Sequence, residues 1–235
     1  MKRFYKDVGV ARTPDGFQVL LDGKPVRTPG RNALLLPAQA MADAIADEWR
    51  GQGEEIIPAS MPMLRLANTA LDGIKASREA VIDSILRFGE HDVTCYFAER
   101  PATLVARQTE AWRPMLEWAA SRHGAKLATS TGVGHVEQPA EALASLRAAI
   151  AAHDDFALAA LHVFASITGS LVLALALADA AINPAQAFQM SRLDEEHQAS
   201  QWGQDAESAA RAHALAREMD VAFAFLAASR ESVKA

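Results

Sequence analysis

The sequence predicts an α+β fold: a small antiparallel β-rich N-terminal domain with one helix (residues 1–60), then a larger all-α C-terminal domain (residues 61–235). Three observations predict it. Turn signals and short apolar runs fill the first third of the chain. At Pro37 the apolar period changes to a helical one. From about Met61 onward helical spacing continues with few interruptions.

The elements follow in order. Residues 3–12 have extended character, with Phe4, Val8 and Val10 on one face. Thr13-Pro14-Asp15-Gly16 is a turn, because proline presets φ and Gly16 accepts positive φ. The run Phe17-Gln18-Val19-Leu20-Leu21 leads into Asp22-Gly23, a preferred two-residue hairpin turn, and residues 24–28 return beside it. Residues 34–36 and 54–57 supply further short strands. Pro37 opens the first helix, which carries Met41, Ala44, Ile45, Glu48 and Trp49 and stops at Gly51 and Gly53. Later helices are expected at 62–74, 77–87, 109–122 and 139–153, then one apolar helix over about 156–178. Asn183-Pro184 starts a helix to about Gln201, and Asp205 caps a last one to about Arg230. Segments 93–98 and 126–133 read as extended connectors or short strands.

Composition narrows the function. Half the residues are apolar and 22% are charged, with a net charge of −6. That charge argues against general nucleic-acid binding, which needs a clustered positive surface. A single cysteine, Cys95, excludes an intrachain disulfide and a multi-cysteine zinc site. The stretch 158–178 approaches membrane-spanning length. It contains His162, Ser166, Thr168, Gly169 and Ser170 and has no basic residue near either end, so a buried helix is expected. The N-terminus shows neither a signal peptide nor a transit segment, and a cytoplasmic protein is expected.

Catalytic and metal motifs are incomplete. Asp194-Glu195-Glu196-His197 has the acid-to-histidine spacing of di-iron bundles, but no second copy follows. His91, Asp92 and Cys95 offer three ligands at most. Ser170 sits in the apolar run, not on a strand-to-helix elbow, and Gly169 beside it suits close helix contact. No catalytic residue, metal, cofactor or small-molecule substrate is therefore assigned. The enzymatic alternative is a site assembled in space from Arg65, Asp72, His162 and Glu196.

Three polar-and-aromatic clusters remain. The first runs from Asp47 through Glu48 and Trp49 to Gly53. The second places Arg65, Asn68, Thr69 and Asp72 at near-helical spacing. The third is Leu193-Asp194-Glu195-Glu196-His197-Gln198 with Gln201-Trp202-Gly203-Gln204-Asp205. Such groups suit either a buried hydrogen-bond network or a protein-binding surface.

Read in order, these residues resemble a known family. Arg3-Phe4-Tyr5-Lys6, Leu21-Asp22-Gly23-Lys24-Pro25-Val26-Arg27-Thr28-Pro29 and Glu48-Trp49-Arg50-Gly51-Gln52-Gly53 are similar to the start of the F-type ATP synthase assembly chaperones that bind the α subunit (assembly factor 2 in mitochondria, with alphaproteobacterial relatives). The likeness continues through Met61-Pro62 to Asp72, the 92–96 segment, Pro101, Gln108, Trp112, Trp118 and Gly169-Ser170-Leu171-Val172-Leu173-Ala174. It closes on the third cluster. The resemblance implies a β-rich domain followed by a helical one. It also implies a chaperone that holds the unassembled α subunit, preventing its aggregation until it pairs with β. On that footing Asp194, Glu195, Glu196 and Gln198 are candidate partner-binding residues. Trp49, Arg65, Asn68, Asp72, Gly169, Trp202, Gly203 and Asp205 are expected to support the scaffold.

Overall fold

A three-stranded antiparallel sheet opens the chain: β1 (Val8–Thr13), β2 (Gly16–Leu21) and β3 (Lys24–Pro25), in the order β1-β2-β3. The computed structural model describes residues 1–132, 134–203 and 205–230. The sheet is built by its turns. Asp22 and Gly23 take φ of 48° and 77°, the left-handed pair that a two-residue hairpin requires. At Gly16 (φ 144°) an added Cβ would lie 2.5 Å from the Leu36 carbonyl oxygen, so no side chain fits. β2 alternates strictly, burying Phe17, Val19 and Leu21. Helix α1 (Gln39–Arg50) starts two residues beyond Pro37 and lays Met41, Ile45 and Trp49 against β1 and β2. The expected strands at 34–36 and 54–57 shrink to isolated bridges, Phe17 with Leu36 and Lys2 with Glu55. Phe4 precedes β1 and is 65% exposed, while Val8 and Val10 within the strand are partly buried. Helix α2 (Pro62–Asn68) continues into a π-helical turn, Thr69–Ile74.

The remaining elements are helices α3 (Arg78–Glu90), α4 (Ala102–His123), α5 (Ala140–Ala151), α6 (Asp155–Thr168), α7 (Leu171–Ala178), α8 (Pro184–Ser191), α9 (Leu193–Trp202) and α10 (Ala206–Arg230). Two short strands, β4 (Tyr96–Phe97) and β5 (Ser130–Thr131), pair in parallel. The extended segments at 93–98 and 126–133 thus meet each other, although Val133 lies outside the described residues. By contacts the chain forms two units. Among the described residues, one contains Met1–Arg78, Asp154–Ala160 and the part of α10 from Val221; the other contains Glu79–His153 and Leu161–Asp220.

Three helix expectations change. α4 begins seven residues before the expected Thr109. Its inward stripe, Leu104, Gln108, Trp112 and Ala119, includes a fully buried glutamine, so apolar spacing alone hides the first turns. The apolar run is two helices. Gly169 has φ 63° and ends α6, while the Ser170 hydroxyl accepts from the Leu173 amide to cap α7. No atom lies within 4 Å of a Cβ built on Gly169, so positive φ explains this glycine and close helix contact does not. All eight residues of α7 are buried, and among the described residues no helix is long and apolar enough to cross a membrane. Finally, the helix from Asn183 stops at Ser191. Arg192 (φ −119°, ψ 19°) breaks it before α9 begins.

Asp92 organises the entrance to α7. It is fully buried, and its carboxylate accepts from the Thr94 amide and hydroxyl and, at 2.9 Å, from the Val172 amide. Burial raises its pKa against the pull of those donors. Cys95 beside it is also buried, and burial pushes its thiol up to about 12. Gly89 allows close packing nearby: an added Cβ would lie 2.9 Å from Leu171 and 3.0 Å from Leu146.

Candidate functional site

The third cluster is fixed from below by α4. Trp112 is fully buried, and its indole N–H donates to the Met190 carbonyl at 2.8 Å. With Leu104 and Leu193 it forms an apolar cluster that seats the first turn of α9. Gln108, one turn earlier, uses both ends of its amide. Its oxygen accepts from the Ala98 amide at 2.7 Å and its nitrogen donates to Asp194 at 2.8 Å. Burial and the adjacent Glu195 raise the Asp194 pKa against the hydrogen bond from Gln108. Glu196 pairs with Arg107 at 2.7 Å.

Two of the three acidic residues are therefore held within the chain. Glu195 and Gln198 are exposed and have no hydrogen-bond or ion-pair partner among the described residues. Trp202 lies one turn further on. Residues 195, 198 and 202 recur at i, i+3 and i+7, so they form one outward stripe of α9. Trp202, expected to support the scaffold, is 81% exposed. A groove of about 270 Å³ adjoins the stripe, with Glu195 and Glu196 on one side and alanines of α10 on the other. Gly203 (φ 83°) ends α9, and Asp205 caps α10 by accepting from the Ser208 amide and hydroxyl. Gln204 lies outside the described residues.

A family model described as ATP12 chaperone protein matches residues 2–120. The chain belongs to the ATP12 chaperone family. It is similar to the crystal structure of Atp12 from Paracoccus denitrificans: 39% identity, 97% of this chain and 98% of that one covered, TM-score 0.93. A variant of that Paracoccus protein with one aspartate replaced by lysine matches over the same shares, with TM-score 0.94 and 39% identity. A candidate chaperone from Agrobacterium tumefaciens is 45% identical, with 97% of this chain and 85% of that chain covered and TM-score 0.90.

The other two clusters of this ATP12-family chain meet in the unit that holds the sheet. Glu48 accepts from the Met63 and Leu64 amides, holding the start of α2, and burial raises its carboxyl above the usual range. Asp72 accepts from the Thr28 hydroxyl at 2.6 Å, the Gly30 amide and the Asn32 side chain, and these bonds hold its pKa below the ordinary value. Trp49, Arg65, Asn68 and Asp72 line a groove of about 640 Å³. Arg65 and Asp72 thus sit in one unit, while His162 and Glu196 belong to the other. Burial lowers the His162 pKa, and its ring lies 3.4 Å from the Ser166 hydroxyl. Among the described residues no group of three or more His, Cys, Asp or Glu could hold a metal ion.

Sequence reading missed Arg107 and Gln108 as the groups that orient the acidic cluster. Gln108 and Trp112, four apart on one helix face, were the available signal.

Proposed function

We infer that this chain is a cytoplasmic chaperone of F-type ATP synthase assembly that holds the unassembled α subunit until it pairs with β. Membership of the ATP12 chaperone family supports the general reading, and the ordered sequence resemblance supports the α subunit as partner. The contact is assigned to the outward stripe of α9. The observation that carries it is the division of labour within the cluster: Asp194 and Glu196 are engaged inside the chain, while Glu195, Gln198 and Trp202 face solvent. An exposed tryptophan is one of the residue types enriched in binding hot spots. Glu195 would meet basic or amide groups of the α subunit, and Trp202 would cover apolar surface there.

Such a chaperone has to release its client, so a small, partly polar contact suits it better than a large dry one. The test is capture of separately expressed α and β subunits by the tagged chain. Wild type should retain α alone, and Glu195→Lys and Trp202→Ala should each weaken capture at least tenfold, with circular dichroism unchanged. Undiminished capture by both variants would sink the α9 assignment. Retention of β in place of α would sink the partner.

A further inference from the structure

The N-terminal sheet is finished on one edge and left open on the other. On the far side of β2, Val26 donates to the Val19 carbonyl, Phe17 and Leu36 exchange both of their backbone bonds, and β3 stops after two residues at Pro25. β1 has no such cover. It is the outermost of the three strands and runs six residues without proline or lysine. It pairs one-to-one with β2 from Val8–Leu21 to Thr13–Gly16, so it has no bulge. Proline, lysine and bulges are the devices that ordinarily blunt a sheet edge. The pairing fixes which groups face outward. The Asp22 amide donates to the Asp7 carbonyl at 2.9 Å, and bonded pairs recur at every second residue, so Gly9, Ala11 and Thr13 bond to β2. Val8, Val10 and Arg12 therefore turn their N–H and C=O groups away from the sheet. Among the described residues one partner reaches those groups: the Arg50 guanidinium, which donates to the Val8 carbonyl at 3.2 Å.

The side chains of β1 are also incompletely covered. Val19 and Leu21 are buried, but their cross-strand partners Val10 and Val8 are only partly so. No atom lies within 4 Å of a Cβ built on Gly9, so the opposite face of β1 is open there. An added strand would satisfy the outward amides and carbonyls and cover Val8 and Val10 at the same step. Extended polypeptide carries donors and acceptors at that spacing. A second copy of this chain is a poor occupant. In an antiparallel β1–β1 pair centred on Val10, Arg12 of each copy lies opposite Val8 of the other, beside Arg50. Two guanidinium groups would then share one carboxylate, Asp47, which Arg50 already holds at 2.6 Å. We propose that the outer edge of β1 is a docking site for an extended segment of a different protein. The segment runs antiparallel to β1 and places apolar side chains beside Val8 and Val10. It carries a carboxylate opposite Arg12, which is exposed and has no ion-pair partner among the described residues. The polypeptide class follows from the edge itself and does not rest on the α9 assignment.

The test uses the full-length chain and a fluorescein-labelled, end-capped heptapeptide, Thr-Glu-Thr-Val-Thr-Val-Thr, followed by fluorescence anisotropy. In antiparallel register its glutamate meets Arg12 and its two valines meet Val10 and Val8. Methylating the backbone nitrogen of the first valine, whose N–H bonds to the Val10 carbonyl, should weaken binding at least tenfold. Methylating the threonine after it, whose N–H points away from β1, should leave binding unchanged. Lysine in place of the glutamate should weaken binding, and Arg12→Glu should reverse that preference. Val10→Pro removes an edge donor that the ladder to β2 does not use, a position where proline is tolerated, and should abolish binding. Amide hydrogen exchange on the unmutated protein remains decisive if a variant fails to fold. In the free chain Val10 and Arg12 should exchange faster than Gly9 and Ala11, and peptide should slow Val10 and Arg12.

Equal loss from the two methylated peptides would overturn the proposal, as would exchange at Val10 and Arg12 that peptide leaves unaltered. Equal affinity for the glutamate and lysine peptides would overturn it too. If protection of Val10 grows with protein concentration alone and sedimentation gives a dimer, the occupant is a second copy and the proposal fails. Glu195→Lys separates the two sites: it should lose α-subunit capture and keep peptide binding. Failure of the α9 assignment therefore leaves the result at the β1 edge standing.

Discussion

Replacing Gln108 with leucine keeps the side chain close in volume but removes both of its hydrogen bonds. The Ala98 amide loses its acceptor at 2.7 Å, and Asp194 loses its donor at 2.8 Å. A buried amide left unsatisfied costs about 1–3 kcal/mol, and a hydrogen bond to a charged group contributes about 1.5–3 kcal/mol. Asp194 is only partly buried, so water replaces some of the second loss. The net expectation is a destabilisation of about 2–4 kcal/mol, measured by urea denaturation followed through far-UV circular dichroism. Gln108→Glu gives the sharper test. It keeps an acceptor for Ala98 but sets a second carboxyl against Asp194, so the folded pair retains a proton that the unfolded chain releases. A folded pKa raised in this way contributes stability at low pH that is lost as pH rises through it. Gln108→Glu should therefore approach wild type near pH 5 and fall progressively behind it by pH 8. A loss under about 1 kcal/mol for Gln108→Leu, or a pH-independent deficit for Gln108→Glu, would refute the tether between α4 and α9.

Further outcomes follow from the titrating groups. Cys95, with its thiol pushed up to about 12, should resist a disulfide reagent near pH 8 in the native state and react stoichiometrically in urea. Fast native labelling would contradict its burial. Asp72 has a folded pKa below its unfolded value because Thr28, Asn32 and Gly30 donate to it. Its contribution is complete above the ordinary aspartate pKa of about 3.9 and disappears as pH falls through the folded value. Asp72→Asn should accordingly be less stable than wild type at pH 6, with the gap closing toward pH 3; a constant gap would show that the loop bonds do not depend on the charge.

What the sequence disclosed was local. The Asp22-Gly23 hairpin, the strand over Phe17–Leu21 that leads into it and the Asn183 cap are each determined by residues within one turn of one another, and each appears in the structure. Strong composition concealed weaker punctuation. The apolar run from α6 to α7 hid the Gly169-Ser170 break, whose signals were one permissive glycine and one capping hydroxyl. The break at Arg192 carries no glycine or proline and left no mark in the pattern. The acidic cluster was visible as a motif, but its internal ordering was not. Asp194 and Glu196 are held by residues 86 and 89 positions away, and no periodicity reports a bond across that distance. Trp202 shows the converse difficulty. A tryptophan at a helix end reads equally well as anchor or as display, and only exposure separates the two.

The unit that carries the sheet is assembled from segments far apart in sequence. Met1–Arg78 is joined there by Asp154–Ala160 and by the last half of α10, where the rings of Phe156 and Phe225 lie 6.2 Å apart. During synthesis, domains ordinarily fold in the order in which they are made. Here the hairpin and α1 are made well before the part of α10 that completes their unit. A nonsense or frameshift lesion just beyond residue 220 would therefore act at a distance in sequence, removing a segment that completes a unit built mainly from Met1–Arg78.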